Sequence, residues 1–213
     1  MADTVKREYR SQRRAAQALE TRRTIVASAA ELFVEHGYGA TTIDAVAEAA
    51  GVSRKTVFTA VGGKLELLQL AMDWAVAGDD QSVALSDRAA IRQWLHESEP
   101  DRVLTGFAGM LAEIGTRVGP LYGALEVAAG MDAAARDLLA DSQRRRLDDA
   151  RKVVRRLRDL KGLTTRIPPR EAVDLVWLAM DPALFERLVR VRGWPASRFR
   201  DWLAGALQAQ LLD

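Results

Sequence analysis

Apolar residues recur at helical spacing along most of the chain, and no run alternates with a period of two beside hairpin chemistry. The pattern predicts an all-α protein of about nine to ten helices. Ile25, Ala29, Leu32 and Phe33 form one stripe on a first helix that begins near Arg13 or Thr21 and runs to His36, with Gly37 and Gly39 ending it. Ile43, Val46, Ala47 and Ala50 mark a short second helix over 42–50. Val57, Phe58 and Val61 turn inward from a third over 54–61, and Leu65, Leu67, Leu68 and Met72 from a fourth over 64–76. After a polar break at 78–82, a helix is expected to start near Asp87, with Ile91, Trp94 and Leu95 inward, and to break between Glu97 and Pro100. Helices are then expected over 103–118, 121–129, 133–161, 170–180, 183–191 and 197–212. Gly119-Pro120 and Gly193-Trp194-Pro195 read as turns, and Asp181-Pro182 as a helix start with Asp as N-cap.

The second and third helices are joined by Gly51-Val52-Ser53. Glycine turns the chain at least cost, Val52 plugs the angle, and the Ser53 hydroxyl caps the next helix. Two short helices so joined form a helix-turn-helix, whose second helix can lie in the major groove of DNA. Arg54, Lys55 and Thr56 then stand where base edges would be read, Arg and Lys donating to guanine and Thr touching a thymine methyl. A packed helical hairpin with solvated charges has the same spacing, so the pattern alone leaves both readings open.

A longer pattern separates them. Ile25, Ala29, Leu32 and Phe33 before Gly37, then Thr41-Thr42, Ala47, Ala50-Gly51-Val52-Ser53, Thr56-Val57-Phe58, Lys64 and Leu67-Leu68 follow one another in an order and spacing that resemble the DNA-binding domain of the tetracycline-repressor (TetR) family of one-component regulators. The chain departs from the family at Phe58, where Tyr is usual, at Ala60 and Val61, and in its Gly62-Gly63 pair. The resemblance implies DNA contacts from Thr41, Thr42, Ser53, Arg54, Lys55, Thr56, Phe58, Thr59 and Lys64. It implies a basic extension over 1–20, a DNA-binding domain with its connector helix over 21–77, and a helical effector-binding and dimerisation domain over 78–213. Such a protein would act as a homodimer on a pseudo-palindromic operator. It would be a repressor released by a small apolar or amphipathic ligand, or else a regulator with no effector, constitutive or controlled by a protein partner.

Candidate pocket residues in the second domain are Trp94, Phe107, Met110, Leu111, Ile114, Tyr122, Glu126, Trp177 and Met180, Glu126 being a carboxylate within an apolar helix. Phe199, Trp202, Leu203, Ala206, Leu207 and Leu211 share one side of the last helix and are the candidate dimer interface.

Composition narrows the alternatives. The chain has 213 residues, 48% of them apolar and 28% charged, which suits a globular protein with a real core. Its formal charge is only +2, so any basic footprint has to be local. Lys6, Arg7, Arg10, Arg13 and Arg14 at the N-terminus are either a solvated tail or an arm that adds phosphate or minor-groove contacts. The Arg-rich face of the 133–161 helix is interleaved with Asp141, Asp148, Asp149 and Asp159, so pairing at i,i+4 on a solvated face is expected rather than a second nucleic-acid surface. There is no Cys, the two histidines, His36 and His96, have no partners at catalytic or metal-ligand spacing, and no Gly-rich phosphate loop is present. No enzyme, metal or cofactor is expected. Without a signal-like or membrane-spanning run, a cytoplasmic location with no membrane partner is expected.

Overall fold

The computed structural model describes residues 2–80, 94 and 96–213, and of residues 2–12 the backbone alone. Among these there are nine α-helices: α1 (Ala2–Ala40), α2 (Ile43–Ala49), α3 (Arg54–Ala60), α4 (Lys64–Ala77), α5 (Pro100–Met131), α6 (Ala133–Asp159), α7 (Pro169–Ala179), α8 (Pro182–Phe185) and α9 (Ala196–Leu211). A π-helical segment, Glu186–Val191, continues α8. The chain divides into two compact units, Met1–Asp73 and Trp74–Asp213, the division falling inside α4.

In the first unit Ile25, Val26, Ala29 and Phe33 bury one face of α1 with Val46, Val57, Leu67 and Leu68. Helix α1 starts well before Arg13, so the basic 1–20 stretch is continuous with it. The run Ala15-Ala16-Gln17-Ala18-Leu19-Glu20 has no Gly or Pro and consists of strong helix formers, which extends the helix beyond its apolar stripe. Gly37 breaks the helix with φ 75°, a left-handed conformation that favours glycine. Thr42 caps α2 by accepting from the Ala45 N–H, and Ser53 caps α3 by accepting from Thr56 N–H at 3.1 Å. Between them Gly51 takes φ 65°, so the tight turn is built as expected. Phe58 is not inward: it is 46% exposed, because Val57 occupies the single core position that so short a helix offers there.

The second unit is built around α5, against which α6, α8 and α9 pack, with α7 laid on α6. Gly119-Pro120 is not a turn. Helix α5 runs straight through it, and Val118, Gly119, Leu121 and Tyr122 are all buried. Pro120 costs the helix one backbone hydrogen bond, which packing on both sides of that point offsets. Gly119 serves close approach instead: a Cβ there would meet Glu186 Oε2 at 2.8 Å, and one at Gly115 would meet the Phe185 ring at 2.5 Å. Asp181 caps α8 by accepting from the Ala183 N–H, with Pro182 at the first position, as the sequence predicts. Trp94 is buried 5.5 Å from the Phe107 ring, while the expected helix start near Asp87, Ile91 and Leu95 lie outside the described residues.

The last helix corrects a larger expectation. Phe199, Leu203, Leu207 and Leu211 are buried within the chain's own core, not exposed for a partner. Helix α5 supplies the opposing surface, so one stripe of α9 is already used. Trp202, 42% exposed, and half-buried Ala206 remain outside it.

On α6 the ion pairs are Arg144–Asp141, Arg151–Asp148 and Lys152–Asp149, at i,i+3 rather than i,i+4 spacing. No helix among the described residues is long and apolar enough to cross a membrane.

Candidate nucleic-acid interface

Burying Val57 fixes the rotation of α3 and turns Arg54, Lys55, Phe58 and Thr59 outward, with Thr56 half-buried at the edge. The N-terminal turn of this helix therefore presents two cations and two hydroxyls, and its backbone N–H groups add positive partial charge. Ser53 does double duty: its oxygen accepts from Thr56 N–H and lies 2.8 Å from the Thr56 hydroxyl. Thr59 donates its hydroxyl to Lys55 O at 2.9 Å. Arg54 is held back onto α2 by Asp44 at 2.6 Å, and its guanidinium lies 5.6 Å from the Phe58 ring centroid. Phe58 thus stands beside the Arg54 guanidinium on the outer side of α3.

The two threonines ahead of α2 separate. Thr42 is exposed and caps the helix. Thr41 is 2% exposed, and its hydroxyl donates to the Leu32 and Gly37 carbonyls at 3.0 and 2.8 Å, which removes it from the outer surface. It satisfies carbonyls near the break of α1 at Gly37.

Lys64 is half-buried, with Nζ donating to Gly39 O at 3.3 Å and lying 4.3 Å from the centre of the Tyr38 ring. Partial burial pushes its ammonium below the ordinary lysine value. The cation thereby closes the C-terminal end of α1. Lys64→Ala is expected to weaken binding to all duplexes alike and to lower the slope of log affinity against log salt by about one. Titrations at several salt concentrations measure this; an unchanged slope with reduced thermal stability would make Lys64 a structural residue only.

Sequence reasoning missed one part of this surface. A groove of about 820 Å³ runs between α1 and α3, lined by Arg14, Gln17, Thr21 and Arg22 on one side and Ser53, Lys55, Thr56 and Thr59 on the other. Positions 14, 18 and 22 repeat at helical spacing, a signal that becomes legible once α1 is taken to start before them.

In the second unit the candidate pocket residues do not come together in one place. Trp94 and Phe107 pack together, both buried. Tyr122 and Trp177 lie on either side of Arg146, whose guanidinium is 5.2 and 6.0 Å from their ring centroids. Arg146 donates to Tyr122 Oη at 2.8 Å and to Met180 O at 3.2 Å, and lies 3.5 Å from Asp181. Burial raises the Tyr122 phenol above its ordinary value, with Arg146 pulling the other way. Arg146 belongs to the run expected to be solvated, yet its side chain is 13% exposed and its Nε is buried without an acceptor. Met110, Leu111 and Ile114 are half-buried along α5. Glu126 is exposed on the outer surface, so it is not an internal partner for a cationic ligand. It lines an open groove with Leu175, Leu178, Trp202, Ala206 and Gln210.

Residues 25–71 match the model of the bacterial regulatory proteins of the tetR family. The chain is 47% identical over 55 residues to the HTH-type transcriptional regulator SrpR of Pseudomonas putida, a match that covers 26% of this chain and 26% of that protein. It therefore spans about a quarter of that curated relative's length, 26%. Among solved structures it is similar to SmeT, the repressor of the Stenotrophomonas maltophilia multidrug efflux pump SmeDEF, with a TM-score of 0.64 at 17% identity over 90% of each chain. It is similar also to NalD, the secondary repressor of the MexAB-OprM multidrug efflux pump in Pseudomonas aeruginosa, with a TM-score of 0.64 at 17% identity over 92% of this chain and 98% of that one. At this identity the structural likeness concerns the fold.

Proposed function

Taking as premise the match of residues 25–71 to the tetR family of bacterial regulatory proteins, we propose that the chain is a repressor that binds a pseudo-palindromic operator as a homodimer and leaves it when a small apolar or amphipathic ligand binds the second unit. The observation that carries this reading is the Ser53-capped α3, with Val57 in the core and Arg54, Lys55 and Thr59 exposed on the opposite side. A helix buried on one side and polar on the other is built to enter a groove with its first turn at the base edges.

Dimerisation is supported by the groove that exposes Trp202, Leu178 and Ala206 on neighbouring helices, an apolar surface at the outer side of α7 and α9. A two-fold pairing places two copies of α3 one helical turn apart on the same face of the duplex. Ligand release is supported by the aromatic walls around Arg146, where Tyr122, Trp177 and Met180 meet a guanidinium with one unused donor. SmeT, to whose fold this chain is similar, has been solved in complex with triclosan. The ligand must favour the arrangement that cannot span two half-sites, since equal binding to both would shift nothing.

Selection of bound duplexes from random DNA tests the reading. Recovered sequences are expected to be two-fold related, with half-site centres roughly 34–36 Å apart. Recovery of single asymmetric sites would sink the dimer, and no enrichment would sink DNA recognition by α3.

A further inference from the structure

Arginines gather at one place that the DNA-binding reading does not use. Arg151, Arg155 and Arg158 leave α6 on one face, and Arg170 approaches from the first turn of α7. With Val154 and Val173 as floor and Pro169 as a wall, they surround a hollow of about 260 Å³. Elsewhere on α6 Arg144 is paired with Asp141 and Lys152 with Asp149. Arg151 is also matched, by Asp148 at 2.7 Å. Among the described residues Arg155, Arg158 and Arg170 hold no ion pair or hydrogen bond, and the two acids beside them on α7, Glu171 and Asp174, pair with none of them. No side chain caps the first turn of α7, so the positive end of that helix faces the same group without a competing acceptor.

Like charges held around one hollow repel one another, and the exposed position lets each side chain turn away at little cost. A bound anion reverses the sign of that interaction. Planar guanidinium groups match the oxygens of a phosphoryl group in pairs, which ammonium groups do not. The hollow accepts one or two such groups, whereas duplex phosphates lie along a ridge and call for a broad basic face.

The geometry points to a binding site for a compact multivalent anion of the phosphate or pyrophosphate class between α6 and the start of α7, held by Arg155, Arg158 and Arg170 with Arg151 at its edge. The site belongs wholly to the second unit and does not depend on how the chain reads DNA. The anion is either free or the phosphoryl part of a larger metabolite.

Calorimetric titration of the full chain with sodium pyrophosphate at fixed ionic strength tests it. Saturable binding at one site per chain is expected, weakened at least about tenfold in R155Q/R158Q, partly regained in R155K/R158K, and unchanged in R144Q, which removes a paired arginine outside the hollow. Adenosine diphosphate binding more tightly than pyrophosphate assigns the site to a metabolite's phosphoryl group; weaker binding assigns it to the free anion. Binding that disappears when chloride replaces pyrophosphate at equal ionic strength supports the site, and equal heat from both overturns it. Wild-type affinity in R155Q/R158Q overturns it too. So does displacement of pyrophosphate by a duplex lacking the operator, if the displacement is kept in K55A, since the surface would then be a second nucleic-acid face.

Discussion

Phe199→Ala is expected to destabilise the folded chain by about 3–5 kcal/mol, read as a lower midpoint in urea unfolding. The ring is 1% exposed, lies edge-to-face against Phe185 at 5.0 Å, and is 6.1 Å from Trp202. Removing it empties the space where α9 meets α8 and α5, and the helices cannot close on it because Gly115 already brings the Phe185 ring as near as a backbone allows. Trp202→Ala makes the contrast. Its side chain reaches the surface groove, so its loss is expected to weaken self-association and to leave the stability of the single chain largely intact. Running both unfolding series over a range of protein concentrations separates the two, because only a dimer's midpoint moves with concentration. If Phe199→Ala dissociated the protein without lowering the concentration-independent midpoint, the face now buried by α5 would be the dimer interface after all.

The contrast between these two residues shows what spacing can and cannot reveal. Phe199, Leu203, Leu207 and Leu211 were legible as one apolar stripe, since helical periodicity is written in the order of residues. Which surface covers the stripe is a long-range matter, and here α5 covers it. Phe58 makes the same point over a single residue. It adjoins Val57, and a helix rotated by one position would exchange their environments; the turn at Gly51 and the Ser53 cap decide the rotation. The cap, the turn and Gly37 were readable because each is local chemistry. Gly119-Pro120 was misleading for the same reason: a turn signal in local terms, it stands where α5 needs a residue without a Cβ beside Glu186. Arg146 sat in a run of solvated cations and turned inward only because Tyr122, Trp177 and the end of α7 come together around it. The exposed residues of α3 were mostly legible because a seven-residue helix with one buried position leaves the rest of its surface outside. The groove between α1 and α3 was not, because its α1 side depends on how far the helix extends.

Arg54→Ala is expected to lower operator affinity by about 1–3 kcal/mol, roughly 5- to 150-fold, and to relax the preference for guanine at one position of each half-site. Arg54 stands at the first position of α3, stacked toward Phe58 and tied to Asp44. Asp44 is its competitor for the base. The pair is 59% and 66% exposed, so it is worth at most about 1 kcal/mol, and a guanine offering two acceptors can outbid one carboxylate. Asp44→Asn should therefore not weaken operator binding. By deleting a negative charge near the phosphates it should tighten binding to operator and unrelated duplexes alike, by about two- to fivefold, and leave discrimination nearly unchanged. The two substitutions act on different terms: Arg54→Ala weakens the correct complex alone, and Asp44→Asn strengthens both. Measuring each variant against operator and non-operator DNA at the same salt distinguishes them. Equal losses on both duplexes for Arg54→Ala would make this arginine a phosphate contact, and the base-reading role would pass to exposed Lys55 and half-buried Thr56, the next donors on the helix. No change on either duplex would mean that Arg54 does not face DNA.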